Sequence, residues 1–148
     1  MAQTDTDITS FRWYDLEEAQ ERAESEQKNV FIFTEAEWCA YCRQMKAEVF
    51  PKSEVQKTLQ KHFYPVKIDI ESDNVVTFNG EKMTEREFSH SMRISATPTM
   101  IFLDSSGDIL GVQPGFIPEE VFTSLLDYIG NNHIDEEEFE EYLKRHER

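Results

Sequence analysis

Short apolar runs separated by polar segments recur along the chain and predict a protein that mixes strands with helices. Three such runs, at residues 30–34, 64–70 and 99–103, are rich in β-branched and aromatic residues. This composition favours buried strands. The run at residues 109–112 follows the turn-forming segment 104–108, so we expect it to pair back as an antiparallel hairpin.

Apolar residues at three- and four-residue spacings predict helices between these strands. The first helix is expected from Asp15 to about Glu26, because Asp15 and Glu18 resemble a capping box. Residues 43–50 are helix formers, and Pro51 either ends that helix or kinks it. Three aromatic residues before the first helix are expected to anchor the N-terminal segment to the body: Phe11, Trp13 and Tyr14.

Residues 71–83 form a polar segment that interrupts this pattern. Asn79-Gly80 within it indicates a tight turn and a small hairpin. Thr84 and Glu87 then form a capping box that opens a short helix. Such an insertion either borders the functional site or lies far from it, and the sequence favours neither position.

The end of the chain predicts two more helices. Pro118 opens a helix whose core positions continue to Ile129. The tail from Asp135 carries its acidic residues early and most of its basic residues late, which suits the dipole of another helix. We expect Asp135 to cap this helix inside a hydrophobic staple formed by two residues: Ile134 and Phe139.

Composition excludes several classes of partner. The 148 residues include 30 acidic and 15 basic side chains, which gives a formal net charge of −15. Such a surface repels phosphate backbones and anionic lipids, so we expect no nucleic-acid partner. No apolar run approaches the length of a membrane helix, so we also expect no membrane insertion.

The only two cysteines, Cys39 and Cys42, lie where the strand at residues 30–34 gives way to the helix at residues 43–50. Backbone N–H groups at a helix N-terminus stabilise an anion, and a thiol placed there is acidified to its reactive thiolate. Cys42 lies one turn further on, within reach of Cys39 to close a disulfide. This is the chemistry of a dithiol that exchanges electrons with other disulfides.

Three other interpretations of the cysteine pair compete with redox chemistry. A zinc site needs about four ligands, but the chain has no second cysteine pair and its histidines lack ligand spacing, so we expect no metal. A purely structural disulfide would close too short a loop to restrain the unfolded chain much. Two buried, inert thiols fit the aromatic neighbours but not the start of a helix. The four histidines are scattered: His62, His90, His133 and His146.

Two segments resemble the motifs of the thioredoxin superfamily: EWCAYCR at residues 37–43 and ATPTMIF at residues 96–102. Within that superfamily the chain is similar to bacterial thioredoxin-related proteins of the SoxW type and to the C-terminal domain of the membrane reductase DsbD. The resemblance covers roughly residues 30–129.

The resemblance implies an α/β protein with a thioredoxin-like fold, in which three layers (α/β/α) surround a central mixed sheet. We expect one domain over residues 1–148. Added to the common fold would be an N-terminal extension, an insertion at about 71–91 and an extra C-terminal helix over residues 133–148. Residues 1–10 are polar and are expected to be disordered.

The resemblance also implies a thiol–disulfide oxidoreductase that reduces disulfides in client proteins. Cys39 would attack and Cys42 would resolve the mixed disulfide, with no cofactor. We expect a monomer that exchanges electrons with disulfide-containing clients and an upstream redox partner. Two alternatives stay open, namely a disulfide oxidase or isomerase on the same scaffold, and a thioredoxin-like module that binds clients without turnover.

Further site residues follow from the same resemblance. The Thr97-Pro98 peptide would be cis and face the redox pair, where both residues would hold the substrate backbone. Trp38 and Tyr41 would shape an apolar rim, and Tyr41 belongs to the variable dipeptide that tunes the potential across the superfamily. Arg43 would favour the thiolate through its positive charge.

One position departs from the superfamily. Many thioredoxins carry a buried aspartate six residues before the first cysteine, and a neighbouring lysine supports it. Here that position is Phe33, while the lysine persists as Lys67. Glu35 shares the face of Phe33, so we expect Glu35 to act as the missing proton acceptor, paired with Lys67 or a bridging water. The alternative is that Glu35 and Lys67 are ordinary surface charges.

Two observations bear on the compartment. No basic segment followed by an apolar segment opens the chain, so we expect no signal peptide. The start Met1-Ala2-Gln3 resembles a mature N-terminus behind an added methionine. We therefore expect a mature periplasmic or otherwise extracytoplasmic protein, with the cytoplasm as the alternative.

Overall fold

The computed structural model describes residues 11–146, which alternate between helices and strands. Residues 1–10, for which we predicted disorder, lie outside the described residues. In chain order the elements are α1 (Leu16–Glu26), β1 (Asn29–Glu35), α2 (Ala40–Gln44) with a π-helical continuation (Met45–Val49), α3 (Ser53–His62), β2 (Phe63–Asp69), β3 (Val75–Phe78), β4 (Glu81–Thr84), α4 (Glu85–Ser91), β5 (Thr99–Leu103), β6 (Ile109–Pro114), α5 (Glu119–Gly130) and α6 (Phe139–His146).

Four strands form a mixed sheet in the order β2-β1-β5-β6. β1 and β2 are parallel, whereas β5 is antiparallel to both β1 and β6. Parallel neighbours need a crossover connection, and α2 and α3 supply it between β1 and β2. The predicted central mixed sheet is confirmed.

Side chains alternate along β1 and divide the core into two apolar clusters. Phe31 and Phe33 face the cluster that includes α2, α3 and α5. Val30 and Ile32 face the opposite cluster, which includes α1 and α4. Helices therefore cover both faces of the sheet. Because β1 is buried on both faces, it holds the segment that follows it in a fixed place.

The aromatic residues before α1 anchor the N-terminal segment, as predicted. The Trp13 ring lies 5.4 Å from Phe50 in the first cluster. Tyr14 packs edge-on against Tyr64, with 4.9 Å between ring centres. The segment thus contacts both clusters.

The ends of the early helices agree with the sequence in part. Asp15 caps α1 by accepting a 3.2 Å hydrogen bond from the Glu18 backbone N–H. The Glu18 carboxylate binds Arg12 and Arg22 instead of completing a capping box. The helix that carries Cys42 (α2, called the redox helix below) and its π-helical continuation end before Pro51. Pro51 therefore lies between two helices and does not kink one.

The insertion at about 71–91 folds as a hairpin followed by a helix. β3 and β4 pair antiparallel around Asn79 and Gly80, both of which have positive φ. The capping box of α4 has both of its hydrogen bonds, from the Glu87 N–H to Thr84 Oγ1 at 3.0 Å and from the Thr84 N–H to Glu87 Oε1 at 2.8 Å. Both local predictions are confirmed.

The extra C-terminal helix is present, but it starts later than predicted. α6 begins at Phe139, so Asp135 is not its cap, and the staple predicted around Asp135 is wrong. The His133 carbonyl instead accepts hydrogen bonds from the backbone of Glu136 and Glu137, which closes a turn before the helix. Within the described range, no helix is long and apolar enough to cross a membrane.

Candidate redox site

The end of β1 and the start of α2 bring the two cysteines together. Cys39 is the N-cap of α2 in an extended conformation, and Cys42 lies in the first turn. The two residues form a disulfide, with their Cα atoms 5.3 Å apart. The Cys42 backbone N–H donates a 3.0 Å hydrogen bond to Cys39 Sγ. A backbone dipole at the start of a helix thus points at the Cys39 sulfur, where it favours negative charge.

An exposed aromatic surface borders the buried disulfide. Cys39 is 4% exposed and Cys42 is 1% exposed, so Cys39 is the more accessible of the two. The flanking Trp38 and Tyr41 are 61% and 60% exposed. Tyr41 also lies 6.1 Å from the ring of Phe116, which follows β6. The structure therefore brings together the two predicted rim residues and adds Phe116, which the sequence did not single out.

The Thr97-Pro98 peptide is cis, as predicted. It lies at the same end of the sheet as the redox pair, because it directly precedes β5 and Thr99 at the start of β5 is the register partner of Thr34 near the end of β1. The Pro98 carbonyl accepts a 2.8 Å hydrogen bond from the Gly115 N–H. Thr97 makes no backbone–backbone hydrogen bond within the described residues.

The predicted pair of Glu35 and Lys67 is wrong. Lys67 is exposed, and its Nζ lies 5.4 Å from the centre of the Trp13 ring. Trp13 in turn packs 6.3 Å from Phe33, the register partner of Lys67. The aromatic anchor before α1 therefore covers the position where thioredoxins have an aspartate, and the lysine binds the anchor.

Glu35 binds a different lysine. Its Oε1 accepts a 2.6 Å hydrogen bond from Lys46 Nζ, and the Glu35 side chain is 16% exposed. Lys46 belongs to the π-helical continuation of the redox helix. Arg43 turns away toward the Glu37 carbonyl, to which it donates a 2.9 Å hydrogen bond. Both cations thus connect the redox helix to the end of β1, while the predicted effect of Arg43 on the thiolate stays a prediction.

The insertion reaches the site at Glu71, which sequence analysis did not single out. Glu71 Oε2 accepts a 3.0 Å hydrogen bond from the indole N–H of Trp38. Nearby, Glu85 of α4 accepts a hydrogen bond from the Asp69 backbone N–H. Burial raises the pKa of Glu85, and this hydrogen bond opposes the rise. Only the position of the insertion, directly after β2, could have indicated that it borders the site.

No group of three or more His, Cys, Asp or Glu side chains between residues 11 and 146 is arranged to hold a metal ion. The acidic residues near the site instead bind cations of the protein itself. Glu35 binds Lys46, and Asp73 binds Arg86 at 3.1 Å.

Comparison with known proteins gives one family model and several relatives. The model of the thioredoxin-like domain matches residues 16–130. A protein named disulfide bond reductase DsbH from Chlamydia pneumoniae is 24% identical over 110 residues, which are 72% of this chain and 66% of the relative. The chain thus matches slightly less than two thirds of that relative's length.

Solved structures share the fold at low identity. A thioredoxin-fold protein from Helicobacter pylori superposes with a TM-score of 0.70 at 22% identity, covering 81% of this chain and 80% of that chain. The reduced C-terminal domain of DsbD from Neisseria meningitidis has a TM-score of 0.58 at 18% identity, covering 76% of this chain and 91% of the domain. Both likenesses agree with the mixed sheet and its flanking helices.

Proposed function

Because the chain belongs to the family of thioredoxin-like domains, we propose that it is a thiol–disulfide oxidoreductase that reduces disulfide bonds in client proteins. The observation that carries this proposal is the 3.0 Å hydrogen bond from the Cys42 N–H to Cys39 Sγ. It holds one sulfur at the start of a helix, where a thiolate is stabilised once the disulfide is opened. Family, fold and the bonded cysteine pair all support this class of activity.

Cys39 is the attacking residue of the reduced protein. Its thiolate attacks one sulfur of a client disulfide, the client S–S bond breaks, and the second client sulfur leaves as a thiolate. Trp38 and Tyr41 offer the client segment an apolar surface. The backbone of Thr97, beside Pro98, pairs with the extended client chain.

Cys42 resolves the resulting mixed disulfide. After losing its proton, it attacks Cys39 Sγ, the bond between Cys39 and the client breaks, and the Cys39–Cys42 disulfide forms. The client gains two electrons and, after protonation, two protons. An upstream dithiol returns two electrons to the chain by the same exchange in reverse.

We place this reaction outside the cytoplasm, where proteins accumulate disulfides that need reduction. The relative named as a disulfide bond reductase supports the reducing direction. Disulfide-containing proteins are the clients, and a dithiol protein is the electron donor.

Two cysteine variants test the order of attack. Cys42→Ser should accumulate mixed disulfides with clients, because Cys39 still attacks and nothing resolves the product. Cys39→Ser should form none and should turn over no insulin. Mass spectrometry after a brief pulse of iodoacetamide at neutral pH should find the label on Cys39 of the reduced parent. First labelling of Cys42 would reverse the assignment.

A reduction potential and a turnover assay separate the alternatives. Equilibration with glutathione should give a potential near that of thioredoxin, about −270 mV, and well below the roughly −120 mV of a strong oxidant. A potential near the oxidant's value would make the chain an oxidase. Stoichiometric client binding without insulin turnover would make it a binding module.

A further inference from the structure

Trp38 is the most exposed aromatic residue beside the disulfide, and packing alone does not fix its ring. Its side chain is 61% exposed. Within the described residues, its one side-chain hydrogen bond is the 3.0 Å contact from Nε1 to Glu71 Oε2. Glu71 comes two residues after the end of β2, at the start of the insertion, and 33 residues after Trp38 in sequence. One contact therefore joins the rim of the redox site to the insertion.

Glu71 is itself held by α4. Arg86 Nη2 donates a 2.7 Å hydrogen bond to the Glu71 carbonyl, and Arg86 Nε donates a 3.1 Å bond to Asp73 Oδ1. The Arg86 backbone N–H also bonds the Ser72 carbonyl at 2.9 Å. From the other side, Asp69 Oδ1 accepts a 2.9 Å bond from the Glu71 N–H. The backbone of Glu71 is thus fixed on both sides while its carboxylate is free to bind the indole.

We propose that the insertion is a positioning element of the redox site, in which Arg86 fixes Glu71 and Glu71 orients the indole of Trp38 for client binding. This inference rests on the proposed function. A ring that is ordered before the client arrives loses less rotational freedom on binding than a mobile ring. Glu71 and Arg86 are positioning residues, because they act on the client only through Trp38.

The physical consequence is a change in client affinity rather than in the exchange chemistry. The hydrogen bond leaves both sulfurs and the Cys42 N–H untouched. Its loss should therefore raise KM for a protein client and leave kcat nearly unchanged, which marks interactions that are equal in the ground and transition states. A small disulfide that touches little beyond the sulfurs should be reduced at the parent rate.

Five variants test the proposal. Glu71→Ala removes the acceptor, Trp38→Phe keeps a ring but removes the donor, and Arg86→Ala frees the Glu71 backbone. Glu71→Gln keeps an amide oxygen that accepts from the indole, so it should stay within about two-fold of the parent. Glu81→Ala is the matched control, because Glu81 is an exposed glutamate of the same insertion.

The expected result is a rise in KM for insulin of about three- to ten-fold in Glu71→Ala and Trp38→Phe, the size of one net hydrogen bond. The double variant should equal Trp38→Phe, since Glu71 has no further effect once the indole N–H is gone. Arg86→Ala should move in the same direction. Reduction of hydroxyethyl disulfide should stay within about two-fold of the parent in the Glu71, Arg86 and Glu81 variants, none of which contacts the client. Additive effects, or a Gln variant as impaired as the Ala variant, would overturn the proposal.

A measurement without turnover keeps this test separate from the proposed function. In a Trp13→Phe background, Trp38 is the only tryptophan, and its time-resolved fluorescence anisotropy reports the mobility of the indole. Mobility should increase in Glu71→Ala and Arg86→Ala but not in Glu81→Ala, with unchanged urea midpoints showing that the fold is intact. A parent that reduces neither disulfide overturns the proposed function. Unchanged indole mobility in Glu71→Ala overturns the positioning role.

Discussion

Phe33 is fully buried in the same apolar cluster as the cysteine pair. Its ring lies 4.9 Å from Phe50 and 6.3 Å from Trp13. An ionised carboxylate at this position would lose its hydration among these rings, while Lys67 Nζ contacts the Trp13 ring. Position 33 therefore suits a packed aromatic ring and does not suit a buried charge.

Replacing Phe33 with aspartate, the residue common in thioredoxins, should destabilise this protein. Phe33→Asp should lower the free energy of unfolding by at least about 3 kcal/mol, because it leaves a cavity and buries a carboxyl group. Phe33→Leu should cost about half as much or less, since it stays apolar. Urea unfolding followed by circular dichroism measures both. Similar midpoints for the Asp variant and the parent would contradict this account of position 33.

Glu35 remains our candidate for the proton acceptor of Cys42, now with Lys46 as its partner. Glu35→Gln should leave the reactivity of Cys39 unchanged and slow the resolution of a mixed disulfide by about ten-fold, the effect of losing a general base. Stopped-flow measurement between pH 6 and pH 8 would detect it. Glu37→Gln, which changes an exposed neighbour, is the control. Equal resolution rates in all three proteins would show that Glu35 is a surface charge.

Among the elements, α6 is held to α5 through a small aromatic cluster. Tyr142 is 6% exposed and lies 5.3 Å from the Tyr128 ring of α5. The Tyr128 hydroxyl donates a 2.6 Å hydrogen bond to the Glu137 carbonyl, and Arg145 pairs with the Glu137 carboxylate. Because the exposed ion pair contributes little, the buried rings supply most of the docking energy.

Tyr142→Ala should release α6 without unfolding the sheet. Truncation of a buried aromatic ring costs about 3 kcal/mol, so amide exchange in α6 should accelerate about 100-fold. Exchange in β1 and β5 should stay at the parent rate. Hydrogen exchange with mass spectrometry measures both regions, and Lys144→Ala serves as the exposed control. Equal acceleration in α6 and the sheet would mean that α6 and the sheet unfold as one unit.

At the scale of the whole molecule, one histidine between α3 and α5 makes the stability depend on pH. His62 ends α3, and its side chain is 10% exposed. Its ring packs so closely on Gly130 that a Cβ there would clash. Burial lowers the pKa of His62 below its usual 6.5, Lys61 and Lys28 add to the lowering, and Asp127 at 3.7 Å opposes it.

The lowered pKa predicts a loss of stability as the pH falls. Between the lowered value and about 6.5, the unfolded chain binds a proton at His62 that the folded chain does not, so unfolding is favoured there. Below the lowered value both states are protonated and the effect no longer grows. His62→Gln should remove this loss, as judged by urea midpoints from pH 7.5 to pH 5. The exposed His90→Gln should follow the parent, and a His62→Gln curve parallel to the parent's would refute the prediction.

The sequence by itself determined the elements of this protein and the class of its chemistry. Strand runs, the Asp15 cap and the Thr84 capping box depend on residues a few positions apart, so local spacing encodes them. The two cysteines at a strand-to-helix junction and the Thr97-Pro98 segment identified the superfamily for the same reason, because each motif is contiguous. The family match and the mixed sheet confirm that prediction.

Only the tertiary structure decided which side chains meet. Glu35 binds Lys46 rather than Lys67, because the aromatic anchor before α1 covers Phe33 and attracts Lys67. Trp38 meets Glu71 because both follow the ends of parallel neighbouring strands, where Glu35 and Asp69 are register partners, and no local spacing encodes this pairing. Just before the late start of α6, the Tyr128 hydroxyl bonds the Glu137 carbonyl, a contact between residues of separate elements. Such partners depend on strand register and on the paths of distant segments, and the spacing of nearby residues in the sequence encodes neither.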